Sequence, residues 1–283
     1  MLGLPHSAEG EFRPQGVKKL MDSTRRHFLK IAGLSVLGLG ARPLIDAIAD
    51  VGQPKVEPNP NALVGKRWAM IVDQKKCLKA KEGCKDCVLA CHRVHNVPDM
   101  PNPKQAVKWI WQAPFEEVFP EVGNVYMAEY MKDSLKGLPL MLLCNHCDNP
   151  PCVRVCPTKA TFRRDDGIVM MDFHRCIGCR YCMAACPFGA RSLNWLDPRP
   201  FIKTELNMEF PTRTRGVVEK CNFCDERLAK GLIPACVEAC KDKALVFGDV
   251  LDPNSEVRAL LRQHPSTRRK QHLGTQPQVY YIL

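Results

Sequence analysis

Apolar residues in this chain come in short runs separated by polar and proline-marked stretches, a pattern that predicts small strands. GKRWAMIVD at 65–73 predicts a first strand, and MLLC at 141–144 predicts a strand inside the core. TFRRDDGIVMMD at 161–172 predicts a hairpin turning at Asp165, Asp166 and Gly167, a turn rather than a catalytic carboxylate pair. ARSLNW at 190–195 and ALVFGD at 244–249 read as further short strands, and VYYIL at 279–283 as a strand or a surface arm. A small helix is predicted near 255–261, with Asn254 or Ser255 as its N-cap.

Two long, proline-marked segments, 98–143 and 196–220, interrupt this rhythm and are of the kind that carry partner contacts. The first holds an aromatic patch of Trp109, Trp111, Phe115 and Phe119, for which core packing is the default reading and partner docking the other. QPKVEPNPN at 53–61 reads as an extended linker. The domain plan is therefore a leader over 1–49, a linker over 50–61, a main domain over 62–248, and a C-terminal helix and wrapping arm over 249–283.

The leader carries STRRHFLK at 23–30, then the mildly apolar IAGLSVLGLGA at 31–41, then Ala47-Ile48-Ala49. Charged region, short apolar region and small-residue cleavage site stand in the order of an export signal. The apolar run is too short for a bilayer, which needs about 20 residues. Arg25 and Arg26 with Phe28 and Leu29 resemble the twin-arginine signal, which implies export of an already folded chain to the periplasmic side; Met21 is an alternative start. No other apolar run approaches spanning length, so any membrane connection is expected through a partner.

Cysteine usage changes the picture most. The sixteen cysteines fall into four clumps with none left over: Cys77, Cys84, Cys87, Cys91; Cys144, Cys147, Cys152, Cys156; Cys176, Cys179, Cys182, Cys186; and Cys221, Cys224, Cys236, Cys240. Bunching of this kind argues for metal before disulfides, and thiolates bound for an oxidising compartment are best metallated before export. Clump three, CIGCRYCMAACP, has the Cys-x2-Cys-x2-Cys-x3-Cys-Pro spacing of bacterial ferredoxins. Its first three thiols suit one cluster, whereas its fourth, a helical turn on, ligates a neighbouring cluster in two-cluster ferredoxins. Every clump ends in the same i, i+4 pair, and clumps two and three end Cys-Pro-x-x-Ala where clump four ends CKDKA. Cluster loop, helical turn and short strand, repeated, give an α+β fold of tandem ferredoxin-like units, each built for two 4Fe-4S clusters, with insertions and long loops. Closed tetrahedral zinc is the alternative metal chemistry.

The formal charge of +11 first suggests a nucleic-acid binder. Removing residues 1–49 leaves 34 Lys/Arg against 26 Asp/Glu, or +8. Four clusters at about −2 each, thiolates included, bring the holoprotein near neutrality, so no nucleic-acid partner is implied.

CNHCDNPPCVRVCP, CIGCRYCMAACP and CNFCDERLAKGLIPACVEAC, in this order, resemble the four-cluster ferredoxin-like electron-transfer subunits of quinone-linked and molybdenum-enzyme complexes. The leader and the tail point to the exported members, those associated with sulfite reduction first and those of formate-dependent nitrite reduction next. The resemblance implies four 4Fe-4S clusters with ligands exchanged between clumps: Cys176, Cys179, Cys182 with Cys156; Cys144, Cys147, Cys152 with Cys186; Cys77, Cys84, Cys87 with Cys240; and Cys221, Cys224, Cys236 with Cys91. Clump one departs from the pattern, with six residues between Cys77 and Cys84 where two are usual. The resemblance also implies an electron relay without substrate catalysis of its own. Its partners would be an integral membrane quinone-interacting subunit and a multihaem cytochrome c; the alternative is the beta subunit of a molybdopterin oxidoreductase or nitrite reductase system.

Neither Cys-x-x-Cys-His, GxGxxG nor a P-loop occurs, so c-type haem attachment and nucleotide binding have no support. His92, His95, His146 and His174 lie beside cluster cysteines, where the ordinary role is structural hydrogen bonding and the sharper one is tuning of potential or carriage of protons.

Overall fold

The computed structural model describes residues 59–79, 84–120 and 137–283, so the leader and most of the linker lie outside the described residues. In chain order the elements open with β1 (Trp68–Asp73), α1 (Gln74–Lys79), α2 (Asp86–Val94), β2 (Ile110–Pro114), α3 (Phe115–Val118) and β3 (Pro139–Leu143). The middle of the chain forms α4 (Pro151–Arg154), β4 (Thr161–Arg163), β5 (Val169–Met171), α5 (Tyr181–Ala185) and β6 (Ser192–Leu193). Then come β7 (Val218–Glu219), α6 (Asp225–Leu228), α7 (Ala235–Glu238), β8 (Leu245–Asp249), α8 (Glu256–Gln263) and β9 (Val279–Ile282). Short helices and short strands thus alternate in an α+β arrangement.

β1 reads as an unbroken apolar run because both its faces are buried. Trp68, Met70 and Val72 enter the main core, while Ala69 and Ile71 enter a second one with Val246, Ile282 and Val257 of α8. β8 pairs with β1 antiparallel, Ile71 opposite Val246, and β9 lies parallel on the other edge, Ile71 opposite Tyr280. The C-terminal VYYI therefore completes the central sheet. Ser255 caps α8, its Oγ accepting from Arg258 N at 3.2 Å.

Three two-stranded ribbons, β2–β3, β4–β5 and β6–β7, carry the rest. The β4–β5 hairpin turns at Gly167, whose φ is +84°; a Cβ there would meet Arg67 Nη1 at 1.3 Å. The described parts of both long insertions fold inward. The first supplies β2 and β3, paired with Ile110 opposite Leu143, and buries Trp109, Phe115 and Phe119, with Trp111 packed at the edge of the core. The second supplies β7, whose Val218 pairs with Leu193, and places Phe210 in the same core.

Candidate iron–sulfur centres

The fold gathers the sixteen thiols into four groups, each taking three from one clump and one from another. Cys156 lines one cleft with Cys176, Cys179 and Cys182. Cys147 has Cys144, Cys152 and Cys186 as its acidic neighbours. Cys91, from the end of clump one, has Cys224, Cys221 and Cys236. Cys77, Cys84, Cys87 and Cys240 surround a cavity of about 390 Å³. Despite its wide spacing Cys77, carried on α1, stands in that cavity wall. All sixteen are free thiols.

Neighbouring groups are linked in one order. Cys182 of the first group feels Cys152 of the second, Cys221 of the third feels Cys144 of the second, and Cys236 of the third feels Cys87 of the fourth. The groups therefore form a row. Its two middle groups are buried except at half-buried Cys186, while the ends are more open, with Cys179 exposed on one side and Cys77, Cys84 and Cys240 half-buried on the other.

Local structure explains the interleaving. Cys87 and Cys91 lie one turn apart on α2, and Cys152 and Cys182 sit on α4 and α5, with Cys156 and Cys186 just beyond those helices. Each of these helices, with the residues just after it, thus carries thiols of two adjacent groups. The helices pack in pairs, α2 against α7 and α4 against α5, which brings the exchanged thiols together.

The Cys-x-x-x-Ala repeat also acquires a function. Lys159, Gly189 and Lys243, three residues after their cysteines, all have positive φ, and each donates its N–H to the carbonyl of that cysteine. This turn aims a following amide at sulfur: Thr161 N, two residues after Lys159, donates to Cys156 Sγ at 3.4 Å and Ala244 N, next after Lys243, to Cys240 Sγ at 3.2 Å. His146, Gly178 and Phe223, each just before the second cysteine of a Cys-x-x-Cys loop, share the left-handed conformation. Successive N–H groups in such turns form anion-binding concavities. Gly178 is further required because a Cβ would stand 2.3 Å from Gly216 O of the second insertion.

Electrostatics fit an anionic metal cofactor. Burial pushes the Cys87, Cys147 and Cys221 thiols up to about 12 and those of Cys91 and Cys224 well above their ordinary range. A thiol in such surroundings ionises when a metal takes the place of its proton. Cations are buried beside them. Arg191 donates Nη2 to Cys152 Sγ at 3.0 Å, Lys220 Nζ donates to the carbonyls of Val169 and Cys221, and Arg269 lies near Cys186. None of the three has an ion-pair carboxylate among the described residues. Burying a cation unpaired is costly. Anionic clusters in the four thiol groups would supply the missing negative charge.

The flanking histidines divide. His174 is exposed, whereas His95 and His146 are fully buried. His146 accepts from Val169 N at 3.1 Å through Nδ1 and stacks on Phe223 at 3.7 Å; burial, then Lys220, holds its pKa well below the usual value. His95 donates Nδ1–H to Cys91 O at 2.9 Å, stacks on Trp109 at 4.3 Å and places Nε2 2.8 Å from Glu226. Sequence reasoning missed the network around it. Arg213 of the second insertion pairs with Glu219 at 2.6 Å and donates to His95 O at 2.6 Å and Asn96 O at 3.0 Å. Trp109 Nε1 of the first insertion donates to the same Glu219 carboxylate at 2.8 Å. No sequence signal distinguishes Arg213 or Arg191 from a solvated surface charge.

Residues 138–199 and 175–245 match two family descriptions, each of a 4Fe-4S dicluster domain. This is an iron–sulfur electron-transfer protein of the ferredoxin-like class, and the chain belongs to the family of dicluster iron–sulfur subunits of oxidoreductases. It is 43% identical to the Hdr-like menaquinol oxidoreductase iron-sulfur subunit 1 of Archaeoglobus fulgidus, over 91% of this chain and 97% of that protein. A tetrathionate reductase subunit of Salmonella typhimurium is 35% identical, over 93% of this chain and 89% of its own. Protein NrfC of Escherichia coli is 37% identical, over 77% and 81%.

Proposed function

We propose that this chain is the electron wire of a membrane-bound quinol oxidoreductase complex, carrying four 4Fe-4S clusters in series on the interleaved cysteine sets. The row of four thiol groups, buried in the middle and open at both ends, carries this reading. Bound there, the clusters supply one-electron transfer; the chain fixes their spacing and tunes their potentials through N–H···S bonds and buried cations. Two dicluster modules share the work, one from clumps two and three and one from clumps one and four. Nothing in this arrangement calls for a substrate pocket.

The wire works on the periplasmic side, exported folded by the twin-arginine signal at 23–30, and meets the membrane through an integral quinone-interacting subunit, since no helix among the described residues is long and apolar enough to span a bilayer. A multihaem cytochrome c belongs to the same complex, which serves sulfite or sulfate metabolism. Similarity to a menaquinol oxidoreductase subunit over nearly the full length supports the quinone link. A second reading, the beta subunit of a molybdopterin oxidoreductase, draws on the likeness to the tetrathionate reductase subunit.

Purification of the native complex from membranes, with its subunits identified by mass spectrometry, separates the two. A polytopic quinol-interacting protein and a cytochrome are expected; a stoichiometric molybdopterin subunit would establish the second reading instead. N-terminal sequencing of the mature chain should begin after residue 49, and a retained Arg25-Arg26 pair counts against export with cleavage.

A further inference from the structure

Arg191 occupies a singular position in the row. Arg191 is 5% exposed, and its two terminal nitrogens have different partners. Nη2 donates to Cys152 Sγ at 3.0 Å, in the group of Cys144, Cys147, Cys152 and Cys186. Nη1 donates to Thr161 Oγ1 at 3.1 Å, and the amide of the same Thr161 donates to Cys156 Sγ at 3.4 Å, in the group of Cys156, Cys176, Cys179 and Cys182. Met171 Sδ, 3.8 Å from Nη1, completes the surroundings. Within the same backbone segment, Ala190 bonds Cys186 through its amide. No carboxylate pairs with the guanidinium among the described residues, so its charge is directed at sulfur.

The two contacts are unequal. Toward Cys152 the guanidinium gives a charge-assisted bond at 3.0 Å straight to the sulfur; toward the neighbouring group it works through the neutral Thr161 at Cys156, with its charge and side-chain hydrogen bonding also felt at Cys182. A positive charge and an N–H donor at a ligand sulfur favour the reduced, more negative state of a cluster and raise its potential. We propose that Arg191 is a positioning residue that sets the potential step between these two neighbouring centres, raising that of the Cys144, Cys147, Cys152 and Cys186 centre above the value its burial alone would give. This rests on the four-cluster reading.

The test is an EPR-monitored redox titration of the purified holoprotein and of Arg191→Met and Arg191→Lys, with iron and sulfide counted per chain. The signal belonging to the affected centre is the one that disappears in Cys147→Ser. Arg191→Met should make reduction of that centre at least tenfold less favourable, which for one electron is a fall of about 59 mV. Arg191→Lys keeps the charge without the planar fork and should fall less. The centres of Cys221, Cys224, Cys236 with Cys91 and of Cys77, Cys84, Cys87 with Cys240 should keep their potentials. An unchanged potential in Arg191→Met at full iron, an equal shift of every centre, or loss of iron in both variants would overturn the proposal. Failure of the wild-type protein to show the expected clusters would instead overturn the reading on which it rests.

Discussion

Arg213→Met removes one member of the most deeply buried ion pair in the described residues. Arg213 is 2% exposed and Glu219 is fully buried, and the pair is joined at 2.6 Å. Deleting the cation leaves the Glu219 carboxylate with only Trp109 Nε1 and Asn194 Nδ2 as donors, and frees the carbonyls of His95 and Asn96. Breaking a buried pair from one side costs about 3–5 kcal/mol, a large part of the roughly 5–15 kcal/mol that holds a domain together. With a urea slope of about 2–3 kcal/mol per molar for a chain of this size, the midpoint should fall by about 1–2.5 M. The assay follows loss of visible cluster absorbance and of far-UV circular dichroism in urea. Arg199→Met, which breaks a 2.5 Å pair with Asp197 in open solvent, is the control and should leave the midpoint unmoved. Equal midpoints for wild type and Arg213→Met would refute the reading of these contacts as a clamp that ties Trp109 of the first insertion and Arg213 and Glu219 of the second to the turn just after α2.

Gly178→Ala should cost the chain the cluster of Cys156, Cys176, Cys179 and Cys182, since the new Cβ would stand 2.3 Å from Gly216 O at a φ of +67°; iron analysis should show roughly a quarter lost. Cys77→Ser should likewise remove roughly a quarter of the iron, and an unchanged count would take Cys77 off the ligand set. Stripping the iron exposes a pH dependence that the holoprotein lacks. The folded apo chain holds the protons of Cys87, Cys147 and Cys221 up to about 12, whereas unfolded thiols release theirs near 9.0. Between those values the unfolded state binds fewer protons, so apo stability in thermal melts should fall as pH rises through that window, while metallated thiols, already deprotonated, give no such fall.

How much of the fold and site was legible in the sequence depended on the range of the interaction. β1, the hairpin at Gly167, the Ser255 cap and the strand at 245–249 rest on local signals, apolar runs and turn or cap residues, and appear where those signals place them. Clump spacing puts each paired cysteine four residues from its partner, and on α2 both, Cys87 and Cys91, sit one helical turn apart. The parallel seat of β9 beside β1 and the β6–β7 ribbon are pairings across long stretches of chain, which no local pattern encodes. The insertions looked like partner-facing loops because prolines and arginines mark loops, yet their Trp109, Phe210 and Arg213 pack around His95. Arg191 was invisible for a similar reason: a charge in a strand-like hexapeptide reads as solvent-facing until the fold places it against Cys152.

If every cysteine is used, four to a cluster, in one row, the purified holoprotein holds about sixteen iron and about sixteen acid-labile sulfide per chain and no zinc. Quantifying iron, sulfide and zinc on one sample of known protein concentration decides the matter. Sixteen of each bears out the four-cluster row; about eight of each, or a colourless zinc protein, would contradict it.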